Sequence, residues 1–166
     1  MDDGSMTLWV ALVVLVVFSA FFSASETAFS SLNQIRLKSR AEDGDTSAAR
    51  VLAMAEKYDK LLSTILIGNN IVNNVATTIG AVLFIQLIGP GKGPTVSATV
   101  LTIVILIFGE VTPKSLAKEM PETVATAVAP ALSLLMLVFT PLTWLFSQWK
   151  RFLGHFVHST EEDTIT

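Results

Sequence analysis

Four long intervals without a charged residue constrain the fold of this chain more than any other feature of its sequence. They cover residues 4–25, 61–91, 93–109 and 123–149. A helix needs roughly 20 apolar residues to cross the hydrocarbon core of a bilayer. Only 15% of the 166 residues are charged, whereas about a quarter of the residues in a soluble domain are charged. The sequence therefore predicts an all-α integral membrane protein.

The distribution of basic residues predicts how the chain crosses the membrane. Residues 33–60 contain six of the eleven Lys and Arg residues. Because cytoplasmic loops carry an excess of basic residues, we expect this loop in the cytoplasm and the N-terminus outside. Within the loop, Asp45 is typical of a residue that precedes a helix, and residues 48–58 indicate a short amphipathic helix. The expected location is the inner (plasma) membrane, with a cytoplasmic C-terminus.

The predicted transmembrane domain occupies residues 1–151 and contains three membrane helices. These helices are expected at about residues 7–31, 61–88 and 95–115. A turn rich in Gly and Pro separates the last two, because neither residue continues a helix comfortably. Residues 152–166 are polar and are expected to form a linker toward cytoplasmic domains outside this chain.

The fourth uncharged interval is predicted to lie at the cytoplasmic face of the membrane. Basic residues stand on both sides of it, so both of its ends belong inside. Pro130 and Pro141 are expected to break a continuous helix. We therefore predict a Pro-broken belt of amphipathic, interfacial or re-entrant helices at about residues 122–151. The expected interfacial anchors are Trp144 and Trp149.

A stripe of polar residues follows one face of the first predicted span. Ser19, Ser23, Glu26 and Ser30 stand at i, i+4, i+7 and i+11, which places them along one side of a helix. Such a stripe is typical of an ion path, or of a seam where small residues let helices pack closely. For the serines the two interpretations carry equal weight, and the carboxylate of Glu26 favours the ion path.

The second span contains an unusual group of carboxamides. They are Asn69, Asn70, Asn73 and Asn74, which form two i, i+4 pairs on adjacent helix faces. A hydrogen bond between membrane helices contributes about 1 kcal/mol, and one asparagine would satisfy that role. Carboxamide oxygens are also good neutral ligands for hard cations, so four of them favour an ion site.

The third span ends in the sequence Gly-Glu-Val-Thr-Pro-Lys at residues 109–114. An ionisable residue at the end of an apolar span is a functional candidate. In an α-helix Pro113 has no N–H for the carbonyl of Gly109, which would leave a free backbone oxygen beside the carboxylate of Glu110. The alternative is an ordinary proline kink in which Glu110 pairs with Lys114.

The three spans together offer hydroxyl, carboxamide, carboxylate and backbone oxygens. The chain has no cysteine, so thiolate ligands are excluded. This set of ligands suits Mg²⁺, Ca²⁺ or Na⁺ and disfavours zinc and copper.

The three motifs, in this order, resemble the transmembrane domain of the CorC/cyclin-M (CNNM) family, which is associated with magnesium and cobalt transport. The matching segments are FSAFFSASETAFSSLN, LIGNNIVNNVATT and FGEVTPK. The resemblance covers about residues 7–151. It implies a homodimer with three membrane helices per subunit, a cytoplasmic amphipathic belt and a central Mg²⁺ site. In longer members it also implies nucleotide-binding regulatory domains.

The resemblance narrows the set of candidate ligands. By motif position, it implies that Ser19, Ser23, Asn69, Asn73 and Glu110 are metal ligands, and the carbonyl expected to be freed by Pro113 adds Gly109 to this set. The secondary candidates are Glu26, Asn70, Asn74 and Pro113. Glu26 and Ser30 are expected nearer the cytoplasmic mouth of the site.

The expected function is therefore Mg²⁺ transport. Export of a divalent cation needs a driving force, and the family suggests a Na⁺ gradient with Na⁺ as the coupling ion. The alternative is a membrane scaffold or Mg²⁺ sensor that does not transport. An intramembrane hydrolase is disfavoured, because His155 and His158 lie beyond the apolar intervals and a serine nucleophile needs a nearby base. We expect no enzymatic activity and no nucleic-acid partner, and membrane lipid around the helices.

Overall fold

The computed structural model describes residues 3–165, and the side chains of residues 4–157. Residue 166 and the side chain of His158 lie outside this description. The described chain consists of helices and short turns, without a β-strand, which confirms the all-α prediction. The helices are α1 (Asp3–Ser30), α2 (Gln34–Glu42), α3 (Thr46–Glu56), α4 (Tyr58–Ile88), α5 (Gly93–Val104), a π-helical segment (Ile105–Val111), α6 (Thr112–Glu119), α7 (Pro121–Val138) and α8 (Thr140–Ile165).

The predicted spans correspond to long apolar helices. They are α1, α4 and the continuous helix Gly93–Glu119, which joins α5, the π segment and α6. By length and composition α7 could also cross a membrane, so the described residues contain four such helices. At 18 residues, α7 is the shortest of the four. Its placement in the cytoplasmic interface stays a prediction.

The two prolines of the fourth interval behave differently. Pro130 lies inside α7 and does not end it, so the break predicted there is wrong. Pro130 is exposed, while Ala129 and Leu132 of the same helix are buried in the core. This packing holds α7 together across the proline. The break predicted near Pro141 is present, since α7 ends at Val138 and α8 begins at Thr140. Pro141 lies in the first turn of α8, where the missing N–H costs little.

Helix α8 is longer than the sequence predicts. It continues to Ile165 and so includes most of residues 152–166, which we expected to be a linker. That cytoplasmic domains follow this region stays a prediction.

Helix α1 is the central element of the fold and contacts α4, the π segment, α6 and α7. Helices α1 and α4 pack closely at Gly68, where any Cβ would collide with the ring of Phe22. Phe22 and Ile65 belong to one buried apolar cluster, and Leu12 and Leu83 belong to a second cluster nearer the N-terminus of α1. Between Leu12 and Phe22, the buried Ser19 faces Asn69 of α4.

The loop after α1 folds into α2 and α3. Asp45 caps α3 as predicted, since its carboxylate accepts a hydrogen bond from the Ala48 N–H at 3.2 Å. The Ala48 N–H and the Arg40 side chain beside it lower the pKa of the Asp45 carboxyl. Arg40 lies 2.8 Å from Asp45 and 3.4 Å from Glu122, at the start of α7. Arg36 lies 3.8 Å from Glu122, and these four residues form the charged cluster that joins α2, α3 and α7.

Candidate metal centre

Ser19 lies where three helices meet, and each of the three carries one of the predicted motifs. Its side chain is only 1% exposed. The Ser19 Oγ is 3.5 Å from the Oδ1 of Asn69 on α4. A Cβ built on Gly109 of the π segment would lie 2.9 Å from the same Oγ. The fold therefore brings three predicted ligands, from three separate motifs, into direct contact.

Asn73 provides an unpaired oxygen close to this contact. Its Oδ1 is buried and has no hydrogen-bond partner among the described residues. Asn73 stands one helical turn after Asn69, so the two side chains lie on the same face of α4. A buried polar atom without a partner costs about 1–3 kcal/mol, and such atoms in native proteins call for an explanation. A bound cation would supply the missing partner.

The four asparagines separate into two environments. Asn69 and Asn73 are half-buried on the face toward α1, whereas Asn70 and Asn74 are exposed. The sequence left this distinction open, because both pairs have the same spacing. Asn70 and Asn74 remain secondary candidates.

The residues of the polar stripe on α1 also lie in different environments. Ser23, one turn after Ser19, is buried at 2% exposure, and Glu26 is half-buried. Ser30 is exposed and donates a hydrogen bond to the Thr27 carbonyl at 3.0 Å. Ser25, outside the stripe, is buried and donates to the Phe21 carbonyl at 2.6 Å. The hydroxyls of Ser25 and Ser30 thus donate to backbone carbonyls of their own helix, which is a structural role.

The π segment places Gly109 and Glu110 beside α1. The Thr112 N–H donates to the carbonyl of Ile107, five residues back, whereas the predicted free Gly109 carbonyl assumed a spacing of four. In the five-residue register the missing N–H of Pro113 would lie opposite the carbonyl of residue 108. The α-helical register assumed from the sequence is therefore replaced by a π register at Thr112, and the Gly109 carbonyl stays a predicted ligand. Single π turns inside α-helices often occur at functional sites.

Glu110 is the carboxylate of this region. It is half-buried, and Pro113, three residues later, is buried in the first turn of α6. The ion pairs of the described residues do not include one between Glu110 and Lys114. The alternative interpretation of this motif, a proline kink with a paired carboxylate, therefore lacks its ion pair here.

The candidate centre has few carboxylates. Within the described residues, no three His, Asp or Glu side chains come together in a way that could hold a metal ion. Cavities of about 410 and 330 Å³ lie elsewhere, and none of the predicted ligands lines either of them. A cation held here would be bound mainly by neutral oxygens, with Glu110 as the principal charge.

The comparisons with known proteins agree with the motifs. A family model described as the cyclin M transmembrane N-terminal domain matches residues 10–166. The chain belongs to this family. This cyclin M domain is 42% identical over 135 residues to the inner membrane protein YfjD of Escherichia coli (strain K12), which covers 81% of the chain and 31% of YfjD. Membership confirms the resemblance, and the described residues contain several helices that are long and apolar enough to cross a membrane, as the family's transmembrane domain requires.

Two further relatives show the breadth of the cyclin M family. A protein of Haemophilus influenzae is 38% identical over 151 residues, which cover 91% of this chain and 36% of that protein. The polyamine export protein of Salmonella typhimurium is 30% identical over 145 residues, which cover 80% of this chain and 32% of that protein. The chain thus spans about a third of the length of these relatives.

Proposed function

We propose that this domain transports Mg²⁺ across the membrane, through a site where α1, α4 and the π segment meet. The observation that carries the proposal is the buried, unpaired Oδ1 of Asn73, one turn from the contact between Ser19 and Asn69. A hard cation stabilises such an oxygen, because the cation replaces the water or donor that the oxygen lacks.

The distance between Ser19 and Asn69 supports a coordination role for both. Their oxygens are 3.5 Å apart, which is long for a hydroxyl hydrogen bond, since these are usually about 2.7–2.8 Å. Two neighbouring oxygens of a Mg²⁺ octahedron, each about 2.1 Å from the ion, lie about 3 Å apart. A small inward movement of either side chain would bring both into one coordination shell.

The remaining proposed ligands complete this shell. Ser23 lies one turn along α1, and Gly109 and Glu110 lie on the π segment. We propose a dehydrated or partly dehydrated ion, and the reluctance of Mg²⁺ to give up its water favours the partly dehydrated form. Export against the ion's gradient needs energy, and a Na⁺ gradient is the proposed source, with Na⁺ as the coupling ion.

The wider assembly is also a proposal. We place the N-terminus outside and the loop of α2 and α3 in the cytoplasm, because that loop carries most of the basic residues. We propose a homodimer, with nucleotide-binding regulatory domains in the full-length protein. Exposed apolar side chains on the π segment, such as Phe108 at 60% exposure, would then contact lipid or the second subunit.

Polyamine export is a second candidate function, because relatives of 28–30% identity carry that name. A polyamine is an extended cation whose ammonium groups require several separated acceptors or carboxylates. Here Glu110 is the principal carboxylate and the oxygens are grouped around Ser19, which favours a small inorganic cation. A scaffold or Mg²⁺ sensor is the third candidate.

Flux measurements on the full-length protein separate these candidates. We would reconstitute it in proteoliposomes and follow Mg²⁺ and spermidine efflux with and without a Na⁺ gradient. Mg²⁺ transport predicts Na⁺-dependent Mg²⁺ flux that is lost in Asn73→Ala and kept in Asn74→Ala. Spermidine flux without Mg²⁺ flux would establish polyamine export, and Mg²⁺ binding without any flux would establish a sensor.

A further inference from the structure

A second polar region lies at the N-terminal end of α4, before the asparagines of the candidate metal centre. A cavity of about 410 Å³ separates the first turns of α4 from α8. Its wall includes Lys60 and Ser63 from α4, and Trp144, Phe146, Ser147 and Lys150 from α8. None of these residues belongs to the predicted Mg²⁺ site, so the cavity needs a separate explanation.

The charge of this cavity favours an anion. Two lysines line it, Lys60 from α4 and Lys150 from α8, against one carboxylate, that of Asp59. Asp59 and Lys150 are 3.8 Å apart, with side chains 88% and 77% exposed, so water and salt weaken their attraction. Lys60 takes part in none of the ion pairs of the described residues. The cavity therefore has an excess of positive charge and hydroxyl donors on Ser63 and Ser147.

One side of the cavity is apolar and exposed. Trp144 and Phe146 are 62% and 48% exposed, and further along α8 Trp149 stacks on Phe152 with ring centroids 5.8 Å apart. Exposed aromatic residues of this kind are typical of the boundary between lipid chains and headgroups. A soluble anion would need only the polar wall. A phospholipid has a phosphate for the lysines and acyl chains for the aromatic face.

We propose that this cavity binds the headgroup of an anionic phospholipid, with the phosphate between Lys60 and Lys150 and the acyl chains along the aromatic face of α8. Basic pockets between membrane helices bind such headgroups in other proteins. The bound lipid would link α8 to α4, the helix that carries Asn69 and Asn73. The lipid would then fix the cytoplasmic end of α4 relative to α8.

Lipid retention tests this assignment on the full-length protein. The protein would be purified from nanodiscs of mixed phosphatidylglycerol and phosphatidylcholine, and the lipids that stay bound would be counted by native mass spectrometry. We expect selective retention of phosphatidylglycerol. Each of Lys60→Gln and Lys150→Gln should weaken it about fivefold, because a lysine near the surface contributes about that much to binding of acidic lipid. Lys38→Gln removes the same charge from α2, outside the cavity, and should leave retention unchanged.

A variant that fills the cavity and a competition with a soluble phosphate complete the experiment. Ser147→Leu fills the exposed side of the cavity while keeping both lysines, so it should also reduce retention even if a lysine variant folds poorly. Glycerol phosphate in solution should not displace the lipid. Equal retention by wild type, Lys60→Gln and Ser147→Leu would overturn the proposal, as would an equal loss in Lys38→Gln. Displacement by glycerol phosphate would instead identify a site for soluble phosphates and would likewise overturn it.

Discussion

The polar atoms of the charged cluster are paired within the protein, whereas the candidate metal centre contains a buried polar atom that is not. In the charged cluster Arg40 reaches both Asp45 and Glu122, and Arg36 also approaches Glu122. In the candidate metal centre Asn73 Oδ1 is buried without a partner. Both regions join helices that are distant in sequence. The charged groups of the first have partners within the protein, and Asn73 Oδ1 of the second does not.

This difference distinguishes a structural role from a binding role. Paired charges at the surface hold α2, α3 and α7 together and need nothing further, although each such pair contributes little. An unpaired buried acceptor destabilises the protein until something binds to it. We therefore expect changes in the metal centre to alter ion binding, and changes in the charged cluster to alter stability.

The largest effect is expected from Asn73→Ala and Glu110→Ala. Both variants should abolish Mg²⁺ binding in calorimetry, a loss of at least about a hundredfold, because each removes an oxygen from a hard-cation site. The proposed dimer should persist in size-exclusion chromatography. Asn74→Ala is the matched control, since it removes the same side chain from the exposed face, and should bind Mg²⁺ as wild type does. Unchanged Mg²⁺ affinity in both Asn73→Ala and Glu110→Ala would contradict the site assignment.

The next largest effect is expected from Gly109→Ala. The new methyl group would lie 2.9 Å from Ser19 Oγ and 3.3 Å from Ser19 Cβ, so the Ser19 side chain or the backbone at residue 109 must shift, which would change the distance between these two candidate ligands. Overpacking of this kind costs about 1–3 kcal/mol, and we expect Mg²⁺ affinity to fall about tenfold. The control is Gly91→Ala, where nothing lies within 4 Å of the added Cβ. Wild-type affinity in Gly109→Ala would show that Ser19 is not a ligand.

A smaller effect, on stability alone, is expected from Glu122→Gln. The change removes the partner of Arg36 and Arg40 at the start of α7, and partly exposed ion pairs contribute up to about 1 kcal/mol each. Thermal unfolding should shift down by a few degrees while Mg²⁺ affinity stays unchanged. Glu119→Gln removes the same charge nearby without breaking an ion pair of the described residues. A clear loss of Mg²⁺ binding in Glu122→Gln would contradict the assignment of a structural role to the charged cluster and a binding role to the metal centre.

The smallest effect is expected from Asp45→Asn and depends on pH. The pKa of Asp45 is below its ordinary value of 3.8 because of the Ala48 N–H and the Arg40 side chain. Its charged form therefore stabilises the folded state at neutral pH, and this contribution is lost as the pH falls through the folded pKa. Asparagine keeps the helix cap without the charge. The unfolding temperature of wild type should thus fall more steeply than that of Asp45→Asn below about pH 4, and parallel curves would refute this.

Most of the fold could be predicted from the sequence, because its strongest signals are local. The uncharged intervals predicted the membrane helices, and Asp45 indicated the start of α3. Helix α2 was missed, since it is short and polar and has Leu37 as its one buried residue. The break assigned to Pro130 was wrong because packing of α7 against the core outweighs the lost hydrogen bond.

The candidate metal centre could be predicted in composition but not in geometry. The motifs identified Ser19, Asn69 and Gly109 as candidates, and the fold brings these three together. The spacing of the asparagines could not distinguish Asn73 from Asn74, because that depends on which face of α4 meets α1, and only the family resemblance favoured Asn73. The π segment was also missed, since its register depends on contacts between α1 and residues 105–111.

A structure of the full-length protein with bound Mg²⁺ would test the central claim most directly. We predict the ion between α1, α4 and the π segment, with Asn73 Oδ1 and Ser19 Oγ within about 2.1 Å of it. An ion bound instead among the carboxylates near Glu122, with Asn73 Oδ1 hydrogen-bonded within the protein, would contradict it.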